Sequence, residues 1–483
     1  METNQKSNKS SVAYAYLLII AALSFSYILI LGNIAENFKL ILGVFLFLIL
    51  LVISFYKAAG VFLGLIFFLP VLIGLDKYQT NVGSFFQAFF PIEDLYINPF
   101  SLACIFLVFL GGVEIWKRGL KIIKVPLFFI LSIVVLISLV SFFQSDFKIY
   151  GIAFELYFIS GFAAYFLGYL FLGTKNGYLK TIFTIILSSI IPATVGIIQL
   201  ATGSYFFEAD STLGRISGTL PHSNTFGSFL FVVLTVAMFA FFGTNIKKMR
   251  SSHIVLARIL PFLILVPLLI STYSRTAWVG FAVSLAILAM MKPIFRPFIA
   301  YFGALAISLM FIIEKTRERI LGVFDRYMFD SLYGRFDIWG MAIFEARKKI
   351  MTGYGIGSFE EVIRNVQGKE TGNVYPHNDA IRFLLEGGIL GLFGFFLYMS
   401  GALFYAAKSF LHYPKKIEKL VFGKYDLEVD FRFLGAIPLA LFGIMVLISM
   451  VEAPSMDFIY QIFAWTMLGS WLGMSQEYIK KPN

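Results

Sequence analysis

With one cysteine, Cys104, among its 483 residues the chain can close no disulfide within itself, and thiols say nothing about its redox compartment. Cys104 lies in an apolar run beginning near Phe100 and reads as a small core residue. Of the four histidines, no pair has metal-ligand spacing, so no metal site is expected. Only 14% of the residues are charged, too few to coat a soluble protein of this length. No small-residue cleavage site follows the first apolar run, Ser11 to Leu31, which is too long for a secretory leader and reads as a retained span behind Lys6 and Lys9. Nucleic-acid motifs are missing too: the formal charge of +11 is scattered over many short loops, so no nucleic-acid partner is expected.

What the chain does have is apolar surface, with 59% hydrophobic and 18% aromatic residues and a mean hydropathy of +0.83. A bilayer is the solvent that fits this composition, and membrane lipids are its first partners. Hydrophobic runs predict spans near 12–32, 38–55, 58–75, 97–115, 125–143, 151–173 and 179–201, then near 222–243, 255–272, 276–291, 297–313, 379–407, 433–452 and 456–474. The expectation is an all-α polytopic membrane protein with about 14 helices, 12 at the fewest, each of about 20 residues. Pro192 and Pro261 do not count against helices in such spans. Three stretches follow: 1–201 as N-terminal spans, 202–408 as a core with a long outer loop, and 409–483 as an inner loop with the last spans.

Short inner loops retain Lys and Arg. Placing both termini in the cytoplasm puts Lys117, Arg118, Lys121, Lys124, Lys247, Lys248, Arg250, Lys415, Lys416, Lys419, Lys480 and Lys481 inside. The same choice puts Asp76, Glu93, Asp94, Asp146, Glu208 and Asp210 outside. Two outer connections are long, 202–221 and 314–378, and long loops in compact proteins usually carry function. Within the second, Phe336, Trp339, Ile343, Ala346 and Ile350 share one helical stripe, predicting a helix over 336–350 that lies on the membrane surface, roofs a cavity or simply packs within the loop. The run Gly353 to Ser358 lacks the spacing of a dinucleotide fingerprint and reads as a turn into Phe359, with a diphosphate contact through its amides as the alternative.

Three outer arginines stand out: Arg215 shortly before a span, Arg275 in the tight turn Ser271 to Trp278, and Arg335 in the long loop. Singly, each reads as a snorkelling or ion-paired side chain. Together they offer forks that match phosphate oxygens. His377, in Pro376, His377, Asn378, Asp379, has two open readings: a catalytic imidazole, or part of a helix start capped by Asn378 or Asp379. Just inside the next span, Arg382 and Glu386 are one helical turn apart and are expected to neutralise each other, with steering of an acceptor as the second reading. Glu155, Glu452 and Asp457 draw a weaker suspicion of the same kind.

The order of Arg215 with Gly218 and Asn224, Ser274 with Arg275, Arg335, Gly353 to Phe359, and His377 with Asn378 resembles the O-antigen ligase and Wzy-type polymerase family. The family signature of His, Asn, nine residues, Gly, two residues, Gly is complete from His377 and Asn378 to Gly388 and Gly391. The detailed likeness covers about 210–408. It implies a GT-C-like membrane glycosyltransferase in a bacterial cytoplasmic membrane, acting on the extracytoplasmic face without cofactor or nucleotide sugar. Its donor would be an undecaprenyl-diphosphate-linked glycan and its acceptor a growing glycan or a final glycan or lipid. A chain-length regulator is a further implied partner. In that family the outer arginines hold the diphosphate and the histidine activates the acceptor, roles carried here to Arg215, Arg275 and His377, with Arg335 as a third candidate for the diphosphate and Asn378, Arg382 and Glu386 in support. The family usually has about twelve helices, fewer than the spans read here. Polymerase is slightly preferred over ligase, and a transporter of lipid-linked glycans is the alternative of another class; no internal repeat of the kind transporters show is visible.

Overall fold

The computed structural model of the protein describes residues 57–73, 80–81, 96–97, 99–146, 148–203, 214–246, 251–312, 314–322, 332–368, 374–423, 425–454 and 457–479. The expected spans 12–32 and 38–55 lie outside the described residues. So do Lys6, Lys9, Asp76, Glu93, Asp94, Glu208, Asp210, Lys247, Lys248, Arg250, Lys480 and Lys481.

Six described helical stretches are long and apolar enough to cross a membrane: Phe100–Lys124, Tyr150–Leu172, Lys175–Thr202, Ser223–Gly243, Asp379–His412 and Phe431–Ile448. The other expected spans within the described residues also fall on helices. In chain order the helices are α1 (Lys57–Leu72), α2 (Pro99–Arg118), α3 (Phe128–Gln144), α4 (Lys148–Leu172), α5 (Lys175–Leu187), α6 (Ile190–Thr202), α7 (Ser223–Gly243), α8 (Ser251–Ser271) and α9 (Arg275–Met291). After them come α10 (Arg296–Ile312), α11 (Glu314–Leu321), α12 (Leu332–Ala346), α13 (Phe359–Gln367), α14 (Asp379–His412), α15 (Phe431–Leu434), α16 (Ala436–Ile448) and α17 (Phe458–Ile479). The span expected over 179–201 is divided between α5 and α6, where the hydroxyls of Ser188 and Ser189 donate to the carbonyls of Ile185 and Ile186, both at 2.7 Å. Such back-bonding serines bend a helix.

The most extensive packing is of α4 on α17, while α7, most of whose residues are buried, packs mainly against α8 and α9. Small residues let the helix backbones approach: a Cβ on Gly469 would stand 2.1 Å from the Tyr165 carbonyl oxygen. Large rings fill the rest, with Trp465 edge-on to Phe162 and Phe442. Cys104 is fully buried in the same core.

Not everything described is helical. The expected inner loop 408–432 folds into a hairpin, β4 (Ile417–Phe422) and β5 (Tyr425–Asp430), and β3 (Thr244–Ile246) pairs antiparallel with β5. The hairpin turns at Gly423, whose φ of +61° suits glycine. A second ladder joins β1 (Thr80–Asn81) to β2 (Tyr96–Ile97). The three-stranded sheet ties together two connections that the charge pattern places on one side, as does the ion pair of Lys175 with Glu418. At the other end, 145–146, 148–151, 214–222, 272–275, 332–368, 374–378 and 449–454 come together. Ile216 N–H donates to the Ser271 carbonyl at 3.4 Å, and Asp379 N–H to the Ser449 carbonyl at 2.8 Å.

The long connection carries its own small core of Ile338, Ala342, Ala346, Phe359, Val362, Ile363, Val374 and Leu385. Its helix α12 starts at Leu332 and ends at Ala346, followed by a 3₁₀ turn over Arg347–Lys349. The predicted stripe is divided: Ala346 is buried and Trp339 packs against the small core, while the rest of it is exposed. Phe336, Ile343 and Ile350 are exposed while Ile338, Ala342 and Glu345 are buried, because α12 turns its Ile338 face toward α13 and Leu385. The sequence stripe was chosen by hydrophobicity alone, and its exposed half is apolar surface left for a lipid or another chain segment.

Candidate functional site

His377 stands directly before α14 with φ +47°, a left-handed backbone that histidine adopts more readily than branched residues but that still costs free energy. Three contacts hold this segment. Trp339 Nε1–H donates to the Pro376 carbonyl at 2.8 Å, Asn378 Nδ2 donates to the Met450 carbonyl at 2.9 Å, and Asn378 Oδ1 caps α14 by accepting from Ile381 N–H at 3.0 Å. Asn378, not Asp379, is therefore the cap. Strain held by so many contacts, at a half-buried imidazole, is the arrangement expected of a functional side chain.

His377 Nδ1 lies 2.6 Å from Glu452 Oε1. With Glu452 ionised, its carboxylate accepts from Nδ1–H, and a neutral imidazole then presents the Nε2 lone pair. Glu452 is fixed in turn: its Oε2 is 3.2 Å from the Thr276 hydroxyl and 3.5 Å from an Arg335 nitrogen. Arg335 is buried on α12 and also donates to the Val451 carbonyl. Of the three arginines expected on a diphosphate, Arg335 thus sits on the carboxylate that holds the histidine.

Arg275 is the first residue of α9, half-buried, beside Thr276, so it lies one residue from the His377 and Glu452 network. A cation at a helix N-terminus opposes the helix dipole. Its placement there does nothing for the helix and adds to the pull of the terminus on an anion. Arg215 is buried and reaches the same turn: its Nε–H donates to the Thr272 carbonyl at 2.9 Å, and a terminal nitrogen lies 2.5 Å from Asn224 Oδ1. Arg215 and Arg275 therefore meet at the turn between α8 and α9, which touches the histidine through Glu452.

One turn into α14, Arg382 pairs with Glu386 at 3.2 Å and lays its guanidinium over the Phe154 ring at 3.6 Å. Glu386 also accepts from the Phe359 amide at 3.3 Å. Both side chains are buried, so the pair neutralises charge under the site. Two residues on, Gly388 takes φ +61°, ψ −154°, a conformation open essentially to glycine alone, and breaks α14. The run after α12 fits against this break: Tyr354 N–H donates to the Leu385 carbonyl at 2.9 Å, Gly355 N–H to that of Glu386 at 2.7 Å, and Ile389 N–H to that of Ile350 at 2.8 Å. The amides of Gly353, Tyr354 and Gly355 are thus taken by carbonyls, which makes this run a clasp; no amide of these three is left for a diphosphate.

That clasp explains the glycine at 388. A methyl on Gly388 would stand 2.4 Å from the Met351 carbonyl carbon. Gly388→Ala is therefore expected to cost about 1–3 kcal/mol from backbone strain alone. A lowered thermal midpoint in detergent would check this, with Gly443→Ala, which meets nothing within 4 Å, as the unaffected control.

Glu452 carried only a weak signal in the sequence, an acid at the end of an apolar run 75 residues beyond the histidine. Glu155 accepts from Ser138 Oγ at 2.7 Å, and Asp457 accepts from the Tyr460 amide at 3.4 Å. His222 precedes α7, and His412 ends α14, far along it from His377. Among the described residues no group of three His, Cys, Asp or Glu is placed to hold a metal ion.

Residues 260–396 match the model of the family described as O-antigen ligase. The matched stretch takes in Arg275, Arg335, the clasp, His377, Asn378, Arg382, Glu386, Gly388 and Gly391, and leaves Arg215 and Glu452 outside it. No curated protein matches the chain.

Proposed function

We propose that this membrane protein, with its O-antigen ligase-like centre, joins a glycan carried on a polyprenyl diphosphate to the hydroxyl of a second glycan or lipid. The observation that carries the reading is the His377 imidazole held at 2.6 Å by Glu452, beside a turn that gathers two arginines. The enzyme would be a metal-independent inverting glycosyltransferase with a GT-C-like fold of about 14 spans. It would work on the extracytoplasmic face of a bacterial cytoplasmic membrane, since the basic loops lie at the opposite end from His377.

In the reaction, an acceptor hydroxyl oxygen forms a bond to the donor's anomeric carbon as the bond from that carbon to the diphosphate oxygen breaks. The hydroxyl proton passes to His377 Nε2, and the electron pair leaves with the lipid diphosphate. Glu452 stabilises the imidazolium and Arg335 fixes Glu452. Arg215 and Arg275 meet the charge growing on the leaving oxygen, the term that usually dominates such catalysis. One displacement inverts the anomeric carbon.

Glu452 acts through His377 and is a positioning residue. Glu452→Gln is expected to lower kcat at least about tenfold, since an amide no longer fixes which imidazole nitrogen carries the proton. Both KM values and the thermal midpoint should hold; a raised KM with kcat kept would assign Glu452 to binding instead.

Polymerase and ligase differ in the acceptor. Purified protein given lipid-linked repeat units alone yields a ladder of glycans if the acceptor is another repeat. Product that appears only when a different acceptor lipid is added identifies a ligase. Absence of any new glycosidic bond in both mixtures sinks the proposal.

A further inference from the structure

A cavity of about 180 Å³ opens beside Pro376, between the first turns of α4, the helix α13 and the start of α14. Aromatic rings form one wall: Tyr150, Phe154 and Tyr157 from α4, with Phe458 from α17. Tyr157 and Phe458 are packed together, centroids 4.4 Å apart, and the Tyr157 hydroxyl is within 2.8 Å of Ser101 Oγ, so this wall is fixed. Facing it, α13 supplies Glu360, Glu361 and Arg364. Amphipathic α13 buries Phe359, Val362 and Ile363 in the loop's own core, which turns its charged side toward the cavity.

Rings on one side and carboxylates with a guanidinium on the other are the chemistry that holds a sugar. The C–H face of a pyranose packs on aromatic rings, while its hydroxyls reach charged acceptors and donors. The volume is below the roughly 300 Å³ at which drug-sized sites begin, so it suits a single ring. The charges do not suit a phosphate. Glu361 pairs with Arg364 and Glu386 with Arg382, which leaves Glu360 as the surplus charge on the lining. Burial, with Glu361 beside it, raises the Glu360 carboxyl above the ordinary glutamate range against the pull of the Val374 amide and Arg364.

The cavity also lies where an acceptor is needed. Tyr375 and Pro376 line or border it and lead directly to His377, whose ring is 6.2 Å from that of Tyr375. The arginine turn meets His377 by another route, through Thr276 and Glu452.

We propose that this cavity is the acceptor subsite, binding one uncharged sugar ring of the acceptor glycan and presenting its neighbouring hydroxyl to His377. The inference rests on the glycan-transfer reading, and two arms of one experiment separate them. Tyr150, more than half exposed at the rim, and Glu361, half-buried on α13, can be changed without opening the core. Tyr150→Ala and Glu361→Ala should each raise the acceptor KM about tenfold, with kcat within twofold and the donor KM unmoved. The second arm needs no turnover: saturation-transfer NMR with the repeat-unit oligosaccharide freed from its lipid diphosphate should show binding to the parent and weaker binding to both variants. Unmoved acceptor KM and unmoved binding, or a rise in the donor KM instead, overturns the subsite while transfer stands. Binding lost in the variants of a parent that transfers nothing keeps the sugar subsite and overturns the transfer reading.

Discussion

His377→Ala is expected to lower glycan transfer by about 10² to 10⁴, the range for loss of a positioned general base. In the proposed reaction Glu452, 2.6 Å from Nδ1, accepts the Nδ1–H and leaves Nε2 to take the hydroxyl proton. An attacking sugar hydroxyl is a poor nucleophile until its proton has somewhere to go, so the loss should fall on kcat and leave the donor KM in place. Backbone strain must be separated from chemistry, because His377 sits at φ +47° and alanine tolerates that region poorly. His377→Asn keeps a residue type that accepts left-handed backbone while removing the base. The two variants should lose activity alike while the asparagine variant keeps the parent's thermal midpoint. Parent-like activity in His377→Asn would return His377 to being the start of α14.

Arg275→Ala should lower kcat about 10²- to 10³-fold, as loss of one donor aimed at developing negative charge does elsewhere. In the proposed transfer the departing group is a diphosphate already carrying charge, and what the site would add is fixed positive charge near the oxygen that leaves. Arg275 is placed for that at the start of α9, where the helix terminus adds to its field. Arg275→Lys should restore only part of the loss, since an ammonium lacks the two-pronged match to phosphate oxygens. Arg215→Ala differs in kind: Arg215 also holds the Thr272 carbonyl and Asn224, so its removal should lower stability as well as rate. A donor KM and kcat both unchanged in Arg275→Ala would take the diphosphate away from this turn.

His377, Asn378 and the glycines at 388 and 391 could be read from the sequence because they are local, set by one loop meeting one helix. The structure gives the glycines their physical reason, a broken α14 clasped by the run Gly353 to Gly355. The Arg382 and Glu386 pair was legible for the same reason, one helical turn being fixed by geometry. Glu452 was not, for nothing local ties an acid after α16 to a histidine before α14. Arg335 was visible as an arginine but not as the partner of Glu452, which again depends on how the long loop docks. The apolar stripe on α12 was legible but which part of it is buried was not, because in a membrane protein apolar residues also face lipid. The hairpin at 417–430 left a signal in its alternation and in Gly423, hidden by the expectation of a basic inner loop.

The most direct test is the bond itself. Purified protein in detergent is given lipid-linked repeat units and an acceptor with a chelator present, and the product is read by NMR at the newly linked anomeric carbon beside the released lipid diphosphate. Transfer from a lipid diphosphate at His377 predicts one lipid diphosphate freed per new bond, an inverted anomeric configuration, and neither in His377→Asn. A retained configuration, or lipid-linked glycan that crosses liposome membranes with no new bond, would contradict it.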